Sequence, residues 1–350
     1  MRKAIILLVF LTSIKHTDSL QPPILPILQE NFGARMSAKL FIKRSWIEKV
    51  FSDISAVPIP MYKKKNSRSD SLIVAEKIKN CLLSWGDYKP GDSLNIAIKK
   101  FQRWNGMDTT GKPSNQLIRH LNLPKVHWLN KIEINAARMN QVNVSDSENL
   151  IWVNIPDFYL FWIGSQKTIR KHKVIVGQKN WETQCFVSYV SSLHFHPSWY
   201  VPPRIWEKEM KKMVDRDQGY LTKHHLVWEN EKLRQTPGSW NSLGQIKIVV
   251  PNQYLIFLHG TPNQTLFKKQ KRMFSHGCIR VQAAEDLAKN IFKVSGSNYD
   301  KTFDQYLEDA EEKIIPVKKN IPVLISYWTC WVDETGQLQN REDVYQWDGN

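Results

Sequence analysis

The residues most able to do chemistry lie close together, between positions 259 and 281. They form two short motifs separated by a spacer: His259-Gly260-Thr261-Pro262, then Ser275-His276-Gly277-Cys278-Ile279-Arg280-Val281. A cysteine is a strong nucleophile, but its ordinary pKa of about 8.5 leaves only a few per cent as thiolate at neutral pH. An imidazole within hydrogen-bond reach accepts the thiol proton and activates the sulfur. The combination therefore predicts a cysteine–histidine nucleophilic site.

Two strand-to-turn transitions are predicted to position these groups. The apolar run from Tyr254 to Leu258 predicts a buried strand that ends at His259. Gly277, directly before Cys278, allows a sharp turn and leaves backbone N–H groups free to face a developing oxyanion. A single cysteine or histidine is usually a core or surface residue, so the combination carries the prediction.

The two motifs closely resemble the signature of the L,D-transpeptidase family, bacterial cysteine enzymes with a YkuD-type catalytic domain. That signature is a His-Gly pair, a spacer, then Ser/Thr-His-Gly-Cys, an aliphatic residue, and Arg or Asn, and it is complete here. A long gapped motif with this many fixed residue types is highly specific. The resemblance implies that Cys278 is the nucleophile and His259 the general base.

Supporting roles follow from the same resemblance. His276 lines the site, with the role of general base as its alternative, and Ser275 and Gly277 support the turn. The carbonyl of Gly260 is expected to orient the base. Arg280 either contacts a substrate carboxylate or holds the loop. Further upstream, Phe195-His196-Pro197-Ser198-Trp199-Tyr200 resembles the larger Gram-negative branch, and Trp199 and Tyr200 are candidates for the border of the donor site.

The implied reaction is remodelling of peptidoglycan by acyl transfer. The cysteine would form a thioester with the third residue of a tetrapeptide stem and release D-alanine. The amine of a second stem would then complete a 3-3 cross-link. Water as acceptor would give an L,D-carboxypeptidase, a protein lysine would give a lipoprotein anchor, and a non-catalytic wall-binding protein is a third reading. Carbapenems are expected as covalent inhibitors, and no metal or organic cofactor is implied.

A helical module is predicted before the catalytic domain. Apolar spacing between residues 94 and 101 and a possible N-cap at Ser114 indicate two helices. Residues 72–123 resemble the small peptidoglycan-binding module through the following residues: Ala97, Phe101, Gln102, Gly106, Met107, Gly111, Leu117, Leu121 and Asn122. A generic helical pair is the alternative.

The predicted fold is α+β, with this helical module followed by a mostly β catalytic domain over residues 124–346. Short strand-like segments in close succession predict the β part. A charged amphipathic stretch within about 200–243 predicts a helical capping insertion, with a surface excursion remote from substrate as the alternative. Residues 20–71 are assigned to an N-terminal segment and linker that contains the lysine run Lys63–Lys65.

Residues 1–19 have a basic start and a short apolar run, which predicts an export signal or an uncleaved tether to the inner membrane. We therefore expect a location in the periplasm or cell envelope. The net charge of +16 fits either an anionic wall or membrane surface or simply a solvated lysine-rich surface. No nucleic-acid-binding signature is present, so no nucleic-acid partner is predicted.

The four cysteines form no CxxC pair, which argues against a zinc cluster or a thioredoxin-like site. Cys81, Cys185 and Cys330 lie in apolar or strand-like contexts and are predicted to be buried. Export would permit one disulfide among them, whereas Cys278 must stay free to react.

Overall fold

The computed structural model describes residues 31–53, 58–61, 68–144, 148–164 and 169–349. The predicted export signal at 1–19 and the lysine run at 63–65 lie outside the described residues. Among the residues described, no helix combines the length and apolar character needed to cross a bilayer.

Five helices form the N-terminal part: α1 (Phe32–Asp53), α2 (Arg68–Ser84), α3 (Leu94–Trp104), α4 (Asn115–Leu121) and α5 (Lys125–Asn140). The predicted apolar face of α3 is buried through Ala97, Ile98 and Phe101. Ser114 caps α4, since its side chain accepts a hydrogen bond from the Leu117 N–H at 3.1 Å.

The C-terminal part is mostly β. Its strands are β1 (Leu150–Asn154), β2 (Tyr159–Ile163), β3 (Ile169–Gly177), β4 (Phe186–Tyr189), β5 (Ser192–Phe195), β6 (Trp199–Tyr200), β7 (Leu226–Glu229), β8 (Lys232–Gln235), β9 (Ile246–Val249), β10 (Leu258–His259), β11 (Met273–Ser275), β12 (Ile279–Val281), β13 (Lys313–Pro316), β14 (Pro322–Ser326), β15 (Cys330–Val332) and β16 (Leu338–Asn340). Helices α9 (Ala284–Val294) and α10 (Phe303–Glu308) pack against them.

Eleven of the described strands form one sheet in the order β13-β5-β9-β10-β12-β3-β2-β1-β14-β4, with β11 paired to β3. Its apolar side and α9 enclose the main core, where Leu193, Ile248, Ile279 and Leu287 are fully buried. The α+β class predicted from the sequence is confirmed.

The helical part shares a second core with the mostly β part. Trp128 of α5 and Phe101 of α3 belong to the same apolar cluster as Trp152 of β1, Trp328 and Cys330. The two parts therefore pack together through apolar contacts, and the module boundary proposed at residue 123 falls inside a shared core.

The stretch between β6 and β9 forms a separate layer. It contains α6 (Pro203–Ile205), a π-helical turn (Trp206–Met210), α7 (Lys211–Arg216), α8 (Tyr220–Lys223) and a three-stranded sheet in the order β6-β8-β7. Val201, Ile205, Met210, Leu226 and Leu233 form its small apolar core.

The predicted strand from Tyr254 to Leu258 is largely wrong. Only Leu258 and His259 are in a strand, and Tyr254 and Leu255 are 42% and 73% exposed. The cause is Asn252, whose side-chain oxygen accepts hydrogen bonds from the N–H groups of Tyr254 and Ile256. These bonds fold the apolar run into a turn, and Leu255 takes a φ of 56°.

Candidate active site

Adjacent strands place the predicted nucleophile and base on one face of the sheet. Strand β10 lies parallel to β12, with His259 paired to Arg280. On its other side β10 lies antiparallel to β9, with His259 paired to Lys247. Residues in register on neighbouring strands point to the same face. Cys278 precedes Arg280 by two residues and therefore joins this row of basic side chains.

The thiol of Cys278 faces the turn that replaces the predicted strand. Its sulfur contacts the Leu255 carbonyl oxygen at 3.7 Å. Burial raises the pKa of the Cys278 thiol, while the backbone N–H of Phe257 and the charges of Lys247 and Arg280 oppose this rise. The site thus holds a resting thiol beside groups that favour the thiolate.

His259 is buried and held by backbone carbonyls. Its Nδ1 lies 2.6 Å from the Gly260 carbonyl oxygen, which fixes Nδ1 as the N–H donor and leaves Nε2 as the basic nitrogen. Burial, followed by the charge of Arg280, lowers the pKa of His259 to about 3. The imidazole is therefore neutral at neutral pH and able to accept a proton.

Cys278 and His259 share a face but not a hydrogen bond. Across the described part of the chain, the sulfur bonds to Leu255 and not to the imidazole. Catalytic hydrogen bonds are often long or unmade in unliganded enzymes and form with substrate bound. Proton transfer between the two groups requires one of the side chains to move.

The turn before Cys278 is fixed from both sides. Ser275 Oγ donates to the Cys278 carbonyl at 2.5 Å and accepts from the Gly277 N–H at 3.2 Å. Thr183 Oγ1 donates to the Gly277 carbonyl at 2.7 Å. Gly277 has a φ of 109°, which a residue with a Cβ rarely adopts. Its N–H is thus already bonded, which corrects the expectation that it is free for an oxyanion.

His276 faces the opposite wall of the site. Its Nε2 lies 2.7 Å from Glu209 Oε1, and its ring packs edge-on against Trp181 at 4.9 Å between centroids. The guanidinium of Arg204 lies 3.7 Å above the Trp181 ring. His276 therefore connects the turn to the layer formed by residues 203–216.

Two cavities meet at Cys278. One has a volume of about 660 Å³ and extends under the layer between β6 and β9. It is mainly apolar and is lined by Trp199, Tyr200, Trp206 and Trp228, with Lys247 and Phe257 opposite. The predicted donor-site residues Trp199 and Tyr200 thus lie in the same cavity as the thiol.

The second cavity has a volume of about 490 Å³ and a more polar lining. It is bordered by Lys179, Glu182, Arg204 and His276. Leu255 and Cys278 line both cavities, so the thiol lies where the two spaces join.

The sequence analysis missed several residues that line or support the candidate active site. The sequence patterns give Lys247 no role in the site, yet its Nζ lies 3.9 Å from the Phe257 ring centroid in the cavity of Cys278. Its place between the buried Ile246 and Ile248 was the available signal. Thr183 and Glu209 act through pairings that are distant in sequence, and no local pattern marks them.

All four cysteines are free in the structure. Cys330 is buried and Cys81 half-buried, but Cys185 is exposed. The prediction that Cys185 is buried is wrong because it precedes β4, the edge strand of the large sheet, where alternate residues face solvent. No group of three or more metal-binding side chains occurs in the ranges that the structure describes.

Comparison with known proteins gives a consistent result. Residues 148–295 match the family model of the YkuD L,D-transpeptidase catalytic domain. A protein of Haemophilus influenzae named "Putative L,D-transpeptidase" is 28% identical over 239 residues, which cover 62% of this chain and 48% of that relative. The chain thus spans about half the length of the curated relative it matches.

Among solved structures, this chain is similar to an L,D-transpeptidase from Mycobacterium smegmatis, which is 13% identical. The match covers 53% of this chain and 63% of that one, with a TM-score of 0.29. Another L,D-transpeptidase, from Stackebrandtia nassauensis, is 12% identical. The match covers 78% of this chain and 97% of that one, with a TM-score of 0.28. Overlaps this low support no conclusion about this chain, whereas the family match does. Residues 148–295, which contain both His259 and Cys278, therefore match the YkuD L,D-transpeptidase catalytic domain.

Proposed function

We propose that this protein cross-links peptidoglycan stems through a thioester on Cys278. The thiolate attacks the carbonyl of the third stem residue, the bond to D-alanine breaks, and the departing amine takes the proton that His259 removed from the thiol. The amine of a second stem then attacks the thioester and gives a proton to His259, forming an amide and releasing the thiolate. The observation that carries the proposal is the position of Cys278 between two cavities, which gives two peptides separate approaches to one sulfur.

His259 is the proposed general base. Its imidazole is kept neutral by burial, and the Gly260 carbonyl orients it, so Nε2 can accept the thiol proton. His276 is the weaker candidate because its Nε2 already bonds Glu209. Ser275 and Gly277 shape the turn that presents the sulfur.

Arg280 is the proposed anchor for a carboxylate of the donor stem. Its guanidinium is partly buried, and burial lowers its pKa. No acceptor bonds it among the residues described, so holding the loop is not its evident role. A guanidinium binds a carboxylate through two parallel hydrogen bonds, and Arg280 projects from the same face as Cys278.

The wider setting is proposed from the family and the sequence. The enzyme would act in the cell envelope after export, residues 72–123 would contribute to wall binding, and the N-terminus would serve as signal or tether. Carbapenems would acylate the same sulfur, since their strained carbonyl mimics the donor peptide bond.

Product analysis tests the proposal. Purified protein is incubated with disaccharide-tetrapeptide muropeptides, and the products are separated and identified by mass. Cross-linked dimers that have lost one D-alanine are expected. Trimmed monomers alone would assign a carboxypeptidase, and unchanged substrate would leave only a wall-binding protein.

A further inference from the structure

A further cavity in the described part of the chain lies away from Cys278, at the junction of the helical and catalytic parts. It has a volume of about 830 Å³, and none of its lining residues borders either cavity at the nucleophile. One wall comes from α3, α4, α5 and their loops. The other comes from β2, β3 and the segments at 270–272 and 340–349. We name this space the junction groove.

Direct hydrogen bonds fix its two walls relative to each other. Gln270 Nε2 donates to the Gly106 carbonyl at 3.0 Å, and Asn340 Nδ2 donates to Asn105 Oδ1 at 2.8 Å. Lys131 Nζ donates to the carbonyl of Arg341 at 2.6 Å. Because these bonds join the helical part to the catalytic part, the groove is a built feature of the fold.

Close packing at Gly106 adds to this conclusion. A Cβ on Gly106 would lie 2.7 Å from the Arg341 side chain, and its φ is 61°. The Arg341 guanidinium in turn donates to the Trp104 carbonyl at 2.9 Å. The floor of the groove therefore has little freedom to collapse or open.

Most carboxylates around the groove are neutralised by partners within the protein. Asp157 pairs with Arg341 and Lys171, and Glu342 pairs with Lys271 at 2.6 Å. Asp348 pairs with Arg138 at 2.6 Å. Asp343 accepts a hydrogen bond from the Tyr327 hydroxyl, which is a neutral partner. Asp108 is exposed and has no cationic partner in the described ranges.

Two arginines on the helical wall have no such partners. Arg103 and Arg119 line the groove, are exposed, and form no ion pair or side-chain hydrogen bond among the residues described. His120 and His127 lie beside them, and burial lowers the pKa of each. The histidines are therefore neutral at neutral pH, and Lys131 on the same wall is buried and donates to the Arg341 carbonyl. The exposed positive charge without a protein partner on this wall therefore comes from the two arginines.

We propose that the junction groove binds a carboxylate-bearing stretch of polymeric peptidoglycan, at a distance from the stem that reacts at Cys278. This inference rests on the proposed function. A polymer that carries repeated stem carboxylates can occupy two sites on one enzyme, and a second site raises its effective concentration at the first. Guanidinium groups suit carboxylates because they bind both oxygens at once.

The test compares two double variants of the full chain. Arg103→Glu with Arg119→Glu reverses the groove charges, while Lys99→Glu with Lys112→Glu makes the same change in net charge at exposed lysines outside the groove. Retention on purified sacculi is measured by co-sedimentation at physiological salt. Cross-linking is measured on sacculi and, separately, on soluble muropeptides.

The groove variant is expected to lose roughly tenfold in affinity for sacculi, the cost of about one charged hydrogen bond. It should keep its rate on soluble muropeptides, and the lysine variant should keep both. Arg103→Gln with Arg119→Gln provides a milder variant if the charge reversal prevents folding. Equal retention by the arginine and lysine variants would show general charge attraction and overturn the proposal.

Two other results would also overturn it. Displacement of the wild type from sacculi by excess nucleic acid would mark a nonspecific polyanion surface, and a lower rate of the groove variant on soluble muropeptides would place the arginines in the reacting centre. Failure of the proposed function has a different signature. In that case the wild type makes no cross-linked dimers. The difference in sacculus retention between the arginine and lysine variants still shows whether the groove binds peptidoglycan.

Discussion

Replacing Cys278 by alanine is expected to abolish turnover of tetrapeptide muropeptides while leaving the protein folded. Loss of a catalytic nucleophile lowers kcat by roughly 10⁴-fold or more, because no other group in the described site can form the acyl intermediate. Cys278 lies in a turn supported by Ser275 and Thr183 through backbone groups, and alanine leaves those bonds intact. Dimer formation is measured by chromatography and mass.

The matched control is Cys185→Ala, which removes the exposed thiol outside the site. It should retain the wild-type rate. Thermal unfolding of both variants shows whether the fold is kept. A folded Cys278→Ala protein that still makes cross-linked dimers would disprove the assignment of the nucleophile.

Acylation of Cys278 is expected to persist at mildly acidic pH and to depend on His259. An ordinary histidine, with a pKa of about 6.5, is mostly protonated at pH 5. Burial lowers the pKa of His259 to about 3, so the imidazole remains a neutral base at pH 5 and is lost only as pH falls towards 3. The fall of the acylation rate at acidic pH reports the apparent pKa of the Cys–His pair rather than that of either residue alone.

His259→Ala should slow acylation by roughly 10²- to 10⁴-fold, the usual contribution of a general base, with a smaller effect on binding. His276→Ala is the comparison, and its loss should be smaller because His276 bonds Glu209 on the opposite wall. The measurement is the acylation rate with a chromogenic β-lactam from pH 3.5 to 8. Activity that halves near pH 6.5 would contradict the lowered pKa of His259. A greater loss in His276→Ala than in His259→Ala would reverse the two roles.

Local signals in the sequence predict the helical part and propose the site, whereas the path of the chain around the site differs from the prediction. The paired motifs at 259–262 and 275–281 predict a cysteine–histidine site because a nucleophile, a base and a turn glycine fall within one short stretch. Ser114 and the apolar face of α3 predict the helical part because capping and periodicity are local signals. In each case the deciding interactions lie a few residues apart.

What the sequence misses depends on contacts distant along the chain. The run from Tyr254 to Leu258 is apolar enough for a strand, but one Asn252 side chain folds its first half into the turn whose carbonyl faces Cys278. Lys247 reaches the site only because β9 lies beside β10. The order of strands in the large sheet, with β14 beside β1, is not written in any local pattern.

The central claim is that Cys278 is the residue that becomes acylated, and the most direct measurement is to map the site of carbapenem attachment. Intact-protein mass should rise by one drug equivalent, and peptide mapping should place it on Cys278. Cys185 is the informative competitor because it is the most exposed of the four thiols. An adduct on Cys185, Cys81 or Cys330, or an unchanged mass in an enzyme that still cross-links muropeptides, would contradict the account.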